Sequence, residues 1–196
     1  GRRTKSRVGG MGKGTKGTKG TTGSVTSFES LKSLESLELH DSFIPPHGGY
    51  ERLYSYQKTV IIYDGTVRFC DRFVARGDRT RDQMIQAARS GKQNIAEGSL
   101  ASGTSKEIEI KLTNVARASL GELLEDYRDF LRVRRLEEWE LHHPYARRLR
   151  ELNRRDGANY ETFRKGIEHP DPAIAANVMI GLIRVANYLL DRQIRR

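Results

Sequence analysis

The chain has 196 residues, of which 35 are Lys or Arg and 25 are Asp or Glu, for a formal net charge of +10. No run approaches the ~20 apolar residues that a membrane span needs. The single cysteine, Cys70, excludes an intrachain disulfide and a cysteine-built zinc site, and points to a reducing, cytoplasmic setting.

Residues 1–27 hold seven cations and no acid: Arg2, Arg3, Lys5, Arg7, Lys13, Lys16 and Lys19. They also hold a Thr-Lys-Gly repeat and almost no apolar surface to offset chain entropy, so a disordered basic arm is expected. A secretory signal would need an apolar region after the basic start, and none follows. A phosphate loop would need Ser or Thr after Gly-Lys and a strand before it, but Gly12-Lys13 is followed by Gly14. Residues 28–39 read FESLKSLESLEL. Phe28, Leu31, Leu34 and Leu37 recur every three residues, a spacing that drifts around a helix, so the segment reads as a short docking helix or a linker. Pro45, Pro46, Gly48 and Gly49 mark a boundary, dividing an arm and linker at 1–48 from a domain at 49–196.

From Tyr50 onward the period is helical. Tyr56, Val60, Tyr63, Val67, Cys70 and Val74 alternate steps of four and three, which predicts a helix over about 52–75. Thr80 and Gln83 fit a capping box that opens a second helix over 81–97, with Met84, Ala88, Gly91 and Ile95 as its seam and Gly98 just past its end. Thr104 and Glu107 fit another, opening a third helix over 105–133 with Ile108, Leu112, Val115, Ala116, Ser119, Leu123, Tyr127 and Phe130 inward. Residues 134–171 form an irregular insert with two short helices, one around Tyr145, Leu149 and Leu152, the other around Tyr160, Phe163 and Ile167. Asp171-Pro172 reads as an N-cap and first-turn proline for a last helix over 172–194. No strand-like alternation persists, so the fold class is all-α, an antiparallel four-helix bundle.

Chemistry-bearing constellations are sparse. The first three predicted helices carry no histidine, whereas a di-metal bundle needs Glu-x-x-His pairs on two helices. No metal, cofactor or catalytic site is expected. Cys70 lies on an apolar seam and reads as a small core hydrophobe. Arg81, Arg89 and Lys92 fall on one side of the second helix and, with the arm, form the candidate nucleic-acid contacts. No aromatic platform for stacking bases is apparent. Apolar residues off the main seams, Leu120 and Leu124 above all, read as a second ridge, to be covered either by the insert through Trp139, Tyr145 and Phe163 or by a neighbouring subunit.

One string is specific enough to carry a resemblance. Thr80 through Gly98, with Gln83, Ser90 and Asn94-Ile95-Ala96-Glu97-Gly98, then Ser105-Lys106-Glu107 and Ala118-Ser119-Leu120-Gly121-Glu122-Leu123, resembles the proteins encoded by intervening sequences in bacterial 23S ribosomal RNA genes. The diversity-generating retroelement accessory protein looks like a relative. Residues 177–196 look like the suffix segment of a longer bacterial subfamily. The resemblance implies a four-helix bundle that assembles into a ring-like homo-oligomer, often a pentamer. It also implies RNA or DNA binding through a basic surface and, in the retroelement case, a reverse transcriptase as partner. It implies no enzymatic activity and no cofactor. The 134–171 insert and the arm are departures from the family pattern.

Overall fold

The computed structural model describes residues 49–195. The basic arm, its seven cations and the 28–39 segment lie outside the described residues. Among the described residues the chain is all-α, with six α-helices and no strand. A 3-10 turn, Tyr50–Arg52, leads into α1 (Tyr54–Phe73), α2 (Arg79–Ala101), α3 (Lys106–Val133), α4 (Pro144–Asn153), α5 (Tyr160–Ile167) and α6 (Pro172–Ile194).

Side-chain caps set most of the starts. Asp171 accepts from the Ala173 N–H and Pro172 opens α6, as the sequence predicts. At α2 the cap is Asp78, which accepts from Thr80 N at 2.9 Å, so Thr80 is inside the helix. At α3 the cap is Ser105, one residue after the predicted Thr104. In both places a better acceptor stands beside the expected one, and the helix begins there. Gly77, at φ +120°, carries the turn between α1 and α2 in a conformation that only glycine adopts freely. Gly98 does not end α2; the helix runs on to Ala101, with Gly98 buried against Leu112.

Each long helix packs against two others. α1 touches α2 and α6, and α3 touches α2 and α6. α6 is the core helix, lined by Ala175, Ala176, Met179, Ile180, Leu182, Ile183, Ala186 and Leu190, all at most 1% exposed. Contrary to the expectation that no run is suited to a membrane span, α6 is long and apolar enough to cross one, with a mean hydropathy of 1.6 over its most apolar stretch, and 56% of that stretch is buried in the protein's own core. An aromatic cluster closes one end of the core: Phe69 meets Tyr127 and Phe130 edge-on at 4.9 and 4.8 Å. Such pairs contribute about 0.5–1.5 kcal/mol each beyond their burial.

The inward line of α1 differs from the predicted one. Cys70 and Val74 are buried as expected, but Tyr56, Val60, Tyr63 and Val67 are half-buried, and the fully buried line there is Thr59, Ile62, Thr66 and Phe69. Two threonines can occupy that line because their hydroxyls find partners inside. Thr59 donates to the Tyr56 carbonyl at 2.7 Å, and Thr66 Oγ1 accepts from the Tyr127 hydroxyl at 3.1 Å. On α3, Ala116, Leu120, Leu123 and Tyr127 make the buried line, while Ile108 and Val115, about a quarter turn away, are 47% and 41% exposed.

The insert is fastened to α6. Asn177 is 3% exposed and fully bonded: its Oδ1 accepts from Trp139 N at 2.7 Å, and its Nδ2 donates to the Glu137 and Ala173 carbonyls at 2.8 and 2.9 Å. Gly181 lets α4 approach closely, since a Cβ there would lie 2.2 Å from Leu149 Cδ2. α5 packs on α1 and α6 through buried Phe163 and Ile167.

Candidate nucleic-acid interface

The three predicted contacts on α2 do not form a free basic cluster. Arg81 is bonded to Asp71 at 2.5 Å, which holds that carboxyl below its usual range. Lys92 is half-buried, with Nζ 4.4 Å from the centre of the Tyr63 ring. Arg89 alone is exposed, with no carboxylate partner among the described residues. The groove between α2 and α3 next to it is lined by Arg79, Asp82, Ser90, Ser119, Glu122 and Asp126. Its three carboxylates disfavour a phosphate chain. Burial, with Asp129 and Glu122 nearby, raises the Asp126 carboxyl.

The predicted apolar ridge is also corrected. Leu120 is fully buried against Gly91, where an added Cβ would sit 2.8 Å from Leu120 Cδ2. It cannot meet a neighbouring subunit. Leu124 is half-buried against the same core. The buried stripe of α3 is wider than one seam because α2 and α6 flank it on two sides. The exposed apolar residues at this end are Leu100, Ile108 and Val115.

The motif residues behind the family resemblance join α2 to α3. Ser90 Oγ and Ser119 Oγ are 2.9 Å apart, and Asn94 Nδ2 donates to the Ser90 carbonyl at 2.9 Å. Ile95 is 1% exposed, Gly91 and Gly98 admit Leu120 and Leu112, and Glu97 is exposed. Asn94 thus bonds back into its own helix, and in the following turn Ser102 donates to the Ser99 carbonyl.

A basic surface that stands free of ion pairs lies on the insert. Arg147, Arg150 and Arg154 recur at three and four residues, one face of α4 and its C-cap, and none has a carboxylate within ion-pair distance among the described residues. Arg150 reaches the Leu141 carbonyl at 2.7 Å, which orders that side chain without neutralising it. At the head of the row Trp139 stacks on His143, with centroids 4.8 Å apart and planes 6° from parallel, and Tyr145 tilts against both. His143 also caps α4, its Nδ1 accepting from Tyr145 N. The chain's one Glu-x-x-His string, Glu140 to His143, lies in this turn. A groove of about 480 Å³ runs between these groups and α6, where Tyr188 is 59% exposed. No periodicity marks this gathering, because the aromatics are scattered over 139–188 and meet only when the insert folds back on α6. The arginine spacing was the one visible signal.

Elsewhere the ion pairs are those of an ordinary surface: Arg128 bridges Glu125 and Glu138, and Arg184 also binds Glu138. Cys70 is buried 3.9 Å from Met84 Sδ, and burial pushes its thiol up to about 12, away from nucleophile behaviour. Comparison of the chain with protein-family models, curated proteins and solved structures gives no match in any of the three.

Proposed function

We propose that the protein is a non-enzymatic, homo-oligomeric four-helix bundle that binds RNA or DNA mainly through phosphate contacts. One observation carries the reading: the free arginine row of Arg147, Arg150 and Arg154 on the insert. Three unneutralised guanidinium groups along one line suit a chain of phosphates, and each released counterion adds affinity without base specificity. The seven cations of residues 1–27 add a second basic element to the same chain. The closed cycle of neighbours, α1 to α2 to α3 to α6 and back to α1, supports the bundle. The resemblance to the intervening-sequence proteins supports a ring, with Leu124 and the exposed Ile108 and Val115 as candidate contacts.

Protein purified in low and in high salt tests the reading. Nucleic acid that co-purifies at low salt and leaves at high salt is the expected outcome, read as the 260/280 nm ratio. A protein that carries none at low salt and retains no labelled oligonucleotide contradicts it. A second reading, an accessory subunit for a reverse transcriptase or another nucleic-acid enzyme, is favoured by Leu100, Ile108 and Val115, which are solvent-exposed at one end of the α2–α3 pair. That reading requires a stoichiometric polypeptide partner that Ile108→Asp displaces.

A further inference from the structure

We infer that the groove between the insert and α6 takes one unpaired base of a single-stranded nucleic acid, so that the protein prefers single strands to duplexes. This rests on the nucleic-acid reading above and goes further, because phosphate contacts alone do not distinguish the two. The groove has an apolar floor, Leu149 and Ile180, and aromatic walls, Trp139 and Tyr188. Its charged lining is Arg150 and Arg154, the carboxylate Glu140, and Arg184, which is paired with Glu138, so the cations outnumber the acid. Its volume of about 480 Å³ lies within the ordinary range for a small-molecule pocket.

The occupant must therefore be flat, largely apolar and tethered to anions. A base on its sugar-phosphate chain is all three. The row of guanidinium groups continues past the groove to Arg147, so positive charge extends along a line. A strand with phosphates on either side of the inserted base matches that line, whereas a lone anionic headgroup would use one end of it. Tyr188 has no aromatic partner among the described residues, which leaves its ring free to stack. The Trp139 backbone is held by Asn177 and its ring is braced by His143, so that wall is set before any ligand arrives. In a duplex the bases are paired and stacked, and none is presented to a groove of this depth.

Trp139 is the chain's only tryptophan, so its emission reports on the groove directly. The full chain is titrated with a 20-nucleotide oligothymidylate and with a 20-base-pair duplex. Binding is followed by anisotropy of a label on the nucleic acid, and occupancy of the groove by Trp139 emission. The expected result is quenching in step with single-strand binding, and duplex binding without it. Tyr188→Ala should weaken single-strand binding roughly 5- to 150-fold, the loss of one stacked base, and leave duplex binding unchanged. Tyr188→Phe, which keeps the ring, should bind as the wild type does. Anisotropy that rises while Trp139 emission stays constant, or Tyr188→Ala weakening strand and duplex alike, overturns the groove and spares the phosphate reading. Failure of both nucleic acids to bind at low salt removes the phosphate reading, and the groove with it.

Discussion

Asn177→Ala is the sharpest single test of how the insert is held. The side chain makes three hydrogen bonds at 2.7–2.9 Å, and two of them, to Trp139 N and the Glu137 carbonyl, cross from α6 to the chain before α4. Truncation removes both and leaves an N–H and a carbonyl facing a small void. A lost hydrogen bond costs about 0.5–1.5 kcal/mol, and a buried orphan about 1–3. Trp139 is only half-buried, so water can reach part of this region, and the lower halves of those ranges apply. One orphan cost of about 1–2 kcal/mol for each of the two groups gives a total of about 2–4 kcal/mol. For a domain of this size that corresponds to roughly 4–16 °C in melting temperature. The loss should be local before it is global. In urea, Trp139 emission should change ahead of the helical circular dichroism in the variant, and together with it in the wild type. A variant that melts within 1 °C of wild type, with coincident transitions, would refute the clamp.

Other sites give independent outcomes. Ile95→Asp places a carboxylate where the native side chain is 1% exposed, and the cost of several kcal/mol should abolish the cooperative melt. Leu120→Ala should cost about 2–5 kcal/mol in chemical denaturation, as a core truncation does, and leave the mass by light scattering unchanged; dissociation of an assembly at constant stability would reinstate Leu120 as an interface residue. Lys58 is 5% exposed, and burial lowers its ammonium pKa, so the folded state disfavours the charge. Between that lowered value and the ordinary 10.5 the unfolded chain binds more protons, so wild-type stability rises with pH across the window. Lys58→Met should therefore melt higher than wild type at pH 7, with the gap closing toward pH 10.5; a gap independent of pH would discount the buried charge. Deleting residues 1–27 should leave the circular dichroism spectrum intact and lower the salt slope of duplex binding by about two to four units.

Much of the helical content was legible because capping chemistry and hydrophobic period agree with each other. Asp171-Pro172 marks the start of α6, and Met84, Ala88, Gly91 and Ile95 are the seam of α2. The face of α1 was misjudged because Thr59 and Thr66 pass as apolar once their hydroxyls are bonded internally, which a hydropathy pattern does not register. Leu120 was assigned to the surface because its burial depends on a glycine 29 positions earlier, in another helix. The α2 cations failed as a cluster for an equally non-local reason: Asp71, on α1, pairs with Arg81. The groove beside the insert was invisible for the same cause, since Trp139, Arg150 and Tyr188 meet only through the docking of α4 on α6.

Arginines on the insert that bind phosphates must release counterions, so their removal changes the salt dependence of binding. Affinity for a labelled single strand is measured from 50 to 300 mM salt for the wild type and for Arg147→Gln/Arg150→Gln/Arg154→Gln. At about 0.7 units of log-log slope per phosphate on a single strand, loss of three contacts should flatten the slope by roughly two units and weaken binding at every salt concentration. A triple variant that keeps the wild-type slope would contradict the account.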